Sequence, residues 1–296
     1  MKVLTFNTWG LRVAGIPIAK DVRERMKRIP FQILSYHPDI ICLQEIWHHQ
    51  DKKYFAEIFK KEGYNIFYGD KLNKWQYLMP LRGLIGNGLL VASRFPIVNH
   101  RKITFKHFTA PEEYFAGKGA LSISIAAPDL PMIEIINTHL GALHFKNQNN
   151  DFKQRHIYKN LQQVSQLLNK VSKAEQDEIQ IMMGDFNFTE HEWDPIPSTY
   201  TDRNSPALEL VTKQHGWLDT FKVLNPNSGA DGATSAATNP YRSTLKEPWA
   251  RLDYIFLKER QANFRPKHSQ VVLNQRLTQG PPALSDHYGV MTTFEW

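Results

Sequence analysis

A succession of short apolar runs, most separated by turn residues rather than by a helix, dominates this chain. The runs are Val3–Phe6, Ile40–Leu43, Ile66–Tyr68, Gly88–Ala92, Leu121–Ile125, Met132–Ile136, Ile179–Met183, Leu252–Leu257, Val271–Leu273 and Gly289–Phe294. Runs this short, bounded by Gly, Asn, Asp and Pro, read as strands. Helical spacing is rarer. Asp21–Tyr36 carries Val22, Met26, Ile29, Ile33 and Leu34 on one face, with Pro30 as an expected kink. Asp51–Glu62 and Phe152–Val171 follow the same period, and Pro206–His215 is a shorter candidate that stops at Gly216. Strands outnumber helices, which excludes simple βαβ alternation. The pattern predicts two packed sheets covered by helices. No Pro/Ser-rich linker divides residues 1–296, so a single domain is expected. Two long polar stretches, Leu72–Leu84 and Asn225–Pro248, read as functional or mobile loops.

Composition removes several classes. Aromatic residues make up 12% of the chain and hydrophobic residues 42%, with a mean hydropathy of −0.45, which excludes a disordered chain. No stretch reaches the length of a membrane-spanning helix. The lone cysteine, Cys42, excludes an intramolecular disulfide framework and a cysteine zinc site, and its place inside an apolar run predicts a buried thiol. Lys and Arg exceed Asp and Glu by 36 to 29, a net charge of +7 with a pI near 9.3. That balance suits anionic partners such as phosphates, nucleic acid or a membrane surface, or serves solubility alone. The opening MKVLTFNTWG starts as a strand and carries no secretory signal core, so the sequence assigns no compartment.

Polar residues recur at the ends of these strands. Asn7 follows the first run, Glu45 the second, and His139 closes IEIINTH; Asp185 and Asn187 follow IMMG, Asp253 opens DYIFL, and Asp286 and His287 precede YGV. Any one of them alone reads as a turn, a cap or a hydrogen-bonded core residue. Together they form a group mounted on rigid strand ends, as a cleft needs. Oxygen-rich donors without cysteine suit a hard cation, Mg²⁺ or Mn²⁺. Histidine serves as a general base near neutral pH when a carboxylate orients its other nitrogen, and Asp253 with His287 can form such a pair. An amide such as Asn187 can hold a water or a phosphate oxygen. Gly117-Lys118-Gly119 lacks the spacing of a nucleotide-binding P-loop.

The segments FNTWGL (6–11), LQEIW (43–47), NTHL (137–140), GDFN (184–187), RLDYIF (251–256) and LSDHYGV (284–290) together resemble the endonuclease/exonuclease/phosphatase superfamily. Within it the sequence is most similar to neutral sphingomyelinases, through NTWGL, the basic segment RERMKRI (23–29), GLIGNGLLVASRFPI (83–97) and EYFAGKGA (113–120). The resemblance implies an α/β (α+β) fold, a four-layer sandwich of two packed mixed β-sheets flanked by helices. It implies that Glu45 binds the main Mg²⁺, with Asn7 and Asp286 beside the metal. It further implies that His139 contacts phosphate, that Asp185 and Asn187 hold the attacking water, metal or phosphate oxygens, and that His287 is the base oriented by Asp253. Lys118 is implied to contact phosphate, although the acidic residue five before it is Glu113, where the family carries aspartate. The implied activity is hydrolysis of sphingomyelin to ceramide and phosphocholine; the alternatives are a DNA or RNA nuclease and an inositol-polyphosphate phosphatase. A non-catalytic binding module is disfavoured because the acid, base and metal set is intact.

A lipid hydrolase must reach a headgroup at the membrane interface, so a peripheral contact with a phospholipid surface is expected, by a monomer without an obligate protein partner. Trp75–Leu84 has the composition of a docking loop, and Phe105, Phe108, Tyr114 and Phe115 form a second aromatic group. For the nuclease alternative, Lys52, Lys53, Lys60 and Lys61 form a modest basic cluster on a helix face.

Overall fold

A computed structural model describes residues 1–13, 16–69, 86–108, 116–142, 150–171, 179–193, 200–202, 205–242, 249–259 and 263–296. Twelve strands form two mixed six-stranded sheets. In chain order they are β1 (Lys2–Asn7), β2 (Ile40–Gln44), β3 (Asn65–Tyr68), β4 (Leu90–Ser93), β5 (Ile97–Thr104), β6 (Gly119–Ile125), β7 (Ile133–His139), β8 (Ile179–Asp185), β9 (Leu218–Asp219), β10 (Asp253–Lys258), β11 (Arg265–Val272) and β12 (Gly289–Glu295). The first sheet has the order β11-β12-β1-β2-β4-β3 and the second β9-β10-β8-β7-β6-β5. Each has one parallel pair at its centre, β1 with β2 and β7 with β8, flanked by antiparallel neighbours.

Continuous apolar runs form these strands because both faces of each sheet are covered. Side chains alternate along a strand, and here both alternates are buried. Val3, Ile40, Cys42, Ile133, Ile135, Ile179, Ile181 and Met183 meet between the two sheets. Leu4, Phe6, Ile41 and Leu43 point the other way, onto helices α1 (Val22–Leu34) and α2 (His49–Lys61). On the opposite side, Ile136 and Met182 pack against α3 (Asn150–Lys170), through Val164, Leu167 and Leu168, with Val171 just past its end. The result is the expected four-layer sandwich. Burial between the sheets pushes the Cys42 thiol well up, so it is inert.

Every apolar run named above overlaps a strand, though Gly88, Leu89, Met132, Leu252 and Leu273 fall just outside theirs, and several elements go beyond that reading. β5, the eight-residue IVNHRKIT, was not expected because its polar residues face solvent at a sheet edge. Pro30 does not interrupt α1, which runs on to Leu34. Pro206–His215 is not one α-helix: Pro206–Glu209 is α and Leu210–Gln214 is a π turn. Phe105 is fully buried and Phe108 half-buried, so Phe105 packs in the core under α3 instead of facing a membrane. Lys52 is also buried, on the inner face of α2, which breaks up the basic cluster. Trp75–Leu84, Glu113, Tyr114 and Phe115 lie outside the described residues. Among the described residues, no helix is long and apolar enough to cross a membrane.

The two sheets are tied by a buried amide bridge beneath the strand ends. Gln44 Nε2 donates to Asn137 Oδ1 at 2.8 Å, and Asn137 Nδ2 donates to the carbonyls of Leu43 at 2.9 Å and Leu90 at 3.0 Å. Asn137→Ala removes the side-chain donor to those two carbonyls, while the Gln44 amide keeps Thr5 Oγ1 and the Cys42 carbonyl. Unsatisfied buried groups cost about 1–3 kcal/mol each. A lower urea midpoint with an unchanged slope is therefore expected, and an unchanged midpoint would remove the bridge from this account.

Candidate active site

The parallel pairs end at the same edge of the sandwich. In the first sheet Asn7 pairs in register with Gln44, whose successor is Glu45; in the second, His139 pairs with Asp185, and Asp253 faces Asp185 from the other side. Carboxyl ends of strands from both sheets thus converge on one cleft. Asn7 Nδ2 spans it, donating to Glu45 Oε1 at 3.0 Å and to Asp185 Oδ2 at 2.9 Å. His139 Nε2 lies 3.5 Å from Asp185 Oδ2 and 3.9 Å from Glu45 Oε1. Lys118 Nζ is 3.0 Å from His139 Nε2 and donates to the Leu140 carbonyl at 2.7 Å. The same carbonyl accepts from Asn187 Nδ2 at 3.2 Å. His287 Nδ1 is 2.8 Å from Asp253 Oδ2, which leaves Nε2 as the ring nitrogen outside that contact.

The backbone is bent to place these groups. Glu45 and Asn187 adopt left-handed conformations, φ 60° and 51°, as does Trp9 at 48°. Non-glycine residues held there are strained and recur at functional sites. Trp47 packs near the His139 ring, 6.2 Å between centroids, and its Nε1 points to Glu45 Oε2 at 3.5 Å. Gly88, at φ +69°, lets its strand approach Trp47, since a Cβ there would sit 2.9 Å from the indole.

Burial and charge tune the group. Burial pushes His139 well down, and the nearby Lys118 and His287 charges add to this, so its imidazole is neutral and its contacts with Glu45 and Asp185 are not ion pairs. Burial pushes Asp185 up to about 7, against the opposing pull of His287. For His287 burial works downward, but Asp253, Asp185, the Asp253 hydrogen bond and Asp286 outweigh it and raise it to about 10.

Two sets of donor atoms lie within 4.8 Å of one another, Glu45–His139–Asp185 and Asp185–Asp253–His287, sharing Asp185. The first set fits a divalent cation. Its two carboxylates converge, and burial raises Asp185, a cost of ionisation that a cation would offset; the third member, His139 Nε2, already lies against Lys118 Nζ. Asn7 sits at this set as the amide that cross-links its carboxylates. Asp286 stands apart: its Oδ2 faces Arg242 Nη1 at 3.4 Å and it belongs to neither set, so it acts on His287 through charge.

Sequence reasoning missed the groups that hold the Asp253–His287 pair. Within the stretch Asn225–Pro248, read as a loop, Gly232–Ala236, Asn239 and Tyr241 are buried. Thr234 Oγ1 accepts the backbone N–H groups of Leu252 at 3.0 Å and Asp253 at 3.2 Å, and its carbonyl accepts Tyr288 N–H at 2.7 Å. Asn239 Nδ2 donates to the Ser285 carbonyl at 2.8 Å. Arg25, fully buried, donates to the carbonyls of Lys20, Thr8, Trp9 and Leu284, and its guanidinium stacks on Trp9 and Tyr241. The only sequence signals were a long polar stretch and a basic segment, because apart from Lys20 the partners are remote in the chain.

A protein of Schizosaccharomyces pombe named inositol phosphosphingolipids phospholipase C is 26% identical over 310 residues, 99% of this chain and 68% of that protein. A Drosophila melanogaster protein provisionally named a neutral sphingomyelinase is 27% identical over 162 residues, covering 53% of this chain but only 33% of its own length. Among solved structures, D. rerio TDP2 complexed with a single-strand DNA product superposes with a TM-score of 0.72 at 18% identity, covering 100% of this chain and 99% of that one. That last likeness is one of fold. The Endonuclease/Exonuclease/phosphatase family matches residues 4–287, from β1 to the histidine of the base pair, so the whole cluster lies inside the match and the chain belongs to that family.

Proposed function

We propose that this protein is a Mg²⁺-dependent phosphodiesterase of phosphosphingolipids, which splits sphingomyelin or a related choline phospholipid into ceramide and phosphocholine. Hydrolysis of phosphodiesters with a divalent metal is the chemistry of its family. The observation that carries the finer reading is the likeness to the fission-yeast phosphosphingolipid phospholipase, which extends over 99% of the chain. The DNA-bound neighbour supports the fold alone, and the buried Lys52 weakens the basic face a nuclease would use.

The step is in-line attack of water on phosphorus. With the carboxylate charge that raises His287 offset at the cation site, its imidazole is neutral; Nε2 then takes the water proton while Asp253 holds Nδ1–H and stabilises the imidazolium that forms. The new P–O bond forms as the bond to the ceramide oxygen breaks, and that oxygen takes up a proton to leave as the alcohol. Asn187, His139 and Lys118 face the cleft where the phosphoryl oxygens gather charge. Glu45 and Asp185 would hold the cation, with Mg²⁺ the natural occupant and Mn²⁺ a substitute. When bound, it supplies positive charge to the phosphoryl and leaving oxygens and offsets the buried carboxylates.

The test is one panel: purified protein with sphingomyelin, lysophosphatidylcholine, abasic DNA and inositol phosphates, each with and without chelator. Chelator-sensitive release of phosphocholine from sphingomyelin is expected. Cleavage of abasic DNA alone would favour the nuclease, and turnover unaffected by chelator would sink the metal assignment.

A further inference from the structure

Immediately beyond Asn7 the chain makes a small hairpin, Arg12–Val13 paired with Ile16–Pro17. Its root is fastened to the rim of the site. Gly10 N–H donates to the Glu45 carbonyl at 3.1 Å, Ile18 N–H to the Leu11 carbonyl at 3.1 Å, and Arg12 pairs with Asp51 at 3.2 Å. Its outer strand is apolar and faces solvent: Ile16 is 64% exposed and Ile18 55%, with Pro17 exposed between them. Ile16, Pro17 and Ile18 are thus three consecutive exposed apolar residues. Isolated exposed apolar side chains are ordinary, but a pair with proline on a rigidly rooted tip is not.

Charge beside the tip is unbalanced. Lys20, Arg23 and Lys27 are exposed, and among the described residues none of the three is in an ion pair. The nearby acids are already engaged: Asp21 accepts from Tyr241, Glu24 pairs with Arg28, and Asp51 with Arg12. An apolar tip flanked by free cations complements one kind of surface, a bilayer whose headgroups carry negative charge and whose acyl region takes the isoleucines. The hairpin leaves the same strand end that carries Asn7, so a bilayer held there meets the cleft edge.

We infer that the Ile16-Pro17-Ile18 tip, with Lys20 and Arg23, is the element that docks this protein on anionic phospholipid bilayers. This rests on the reading of the substrate as a membrane phospholipid. It concerns a different segment from Trp75–Leu84.

The experiment is vesicle co-sedimentation in chelator, so that turnover plays no part. Phosphatidylcholine vesicles with and without phosphatidylserine are compared, and turnover of a soluble chromogenic phosphodiester is measured in parallel with Mg²⁺. Wild type binds the phosphatidylserine vesicles, less so as salt rises. Ile16→Ser with Ile18→Ser lowers that binding by on the order of tenfold or more, as two isoleucines no longer leave water, while soluble turnover is unchanged. Lys20→Gln with Arg23→Gln weakens binding to the anionic vesicles and flattens its salt dependence, leaving binding to phosphatidylcholine alone as it was. If wild type binds no vesicles, the membrane reading of the substrate fails. If wild type binds and the isoleucine variant binds equally, the hairpin assignment fails while that reading stands. A wild-type dimer that the isoleucine substitutions make monomeric would also overturn the assignment, placing a second copy on this surface.

Discussion

His287→Ala abolishes turnover of any phosphodiester this protein cleaves, by on the order of 10³-fold or more once activity is normalised to folded protein. The working nitrogen is lost, and no other described imidazole is placed to replace it: His139 is held neutral, with its Nε2 engaged by Lys118. The variant does not simply fold as before. Asp253 is fully buried, its Oδ2 depends on His287 Nδ1, and its Oδ1 has no partner among the described residues. Removing one partner of a buried charged pair costs about 3–5 kcal/mol, so His287→Ala should also melt at lower temperature. Asp253→Asn separates the two effects. It removes the buried charge and keeps most of the stability, yet misorients the imidazole, with a loss of about 10²–10⁴ in rate. The double variant should regain stability over His287→Ala and regain no activity. Near-normal turnover by folded His287→Ala protein would remove the base from the mechanism.

Gly184→Ala is expected to be the most damaging small substitution for stability. Gly184 lies in β8, one residue before Asp185, at φ +146°. A Cβ there would stand 1.9 Å from the Thr138 carbonyl oxygen, with the Thr138 carbonyl carbon and amide nitrogen at 2.9 and 3.0 Å. These are backbone atoms of the neighbouring central strand and cannot swing aside. Overpacking typically costs about 1–3 kcal/mol, and a backbone conformation that a side chain resists adds about 1–3 kcal/mol. The sum is a large part of the ~5–15 kcal/mol by which a domain is stable. Thr138 and Gly184 each precede a site residue, so forcing them apart also separates His139 from Asp185, now 3.5 Å apart. A displacement near 1 Å can cost about 10²-fold in rate. Urea denaturation should therefore give a much lower midpoint, and the remaining folded protein should be poorly active. A midpoint within experimental error of wild type would mean that the two strands are not so tightly apposed.

The strand inventory was legible because both faces of each sheet are covered, which turns strands such as IICLQ and IQIMM into unbroken apolar runs. β5 was not, because an edge strand with one solvated face mixes His, Asn, Arg and Lys with its isoleucines. The helices were legible from their buried stripe, and Pro30 misled only about a kink, since α1 continues past it. Among the site residues, those that close or open a central strand were visible as polar residues after apolar runs: Asn7, Glu45, His139, Asp185, Asp253 and His287. Those that act from elsewhere were not. Thr234, Asn239 and Arg25 reach the Asp253–His287 pair or its loop only through the folded chain; Asp286 was visible before β12, but its Arg242 partner was not.

The amino-acid sequence by itself determined the layers, the strands and which polar side chains stand at strand ends, because burial periodicity and strand termination act over a few residues. Only the tertiary structure decided which of those side chains meet. Asn7 finds Asp185 across 178 residues and Arg25 finds the Leu284 carbonyl across 259. Such pairs have no local pattern; they are set when two sheets pack face to face and bring the ends of their central strands to one edge.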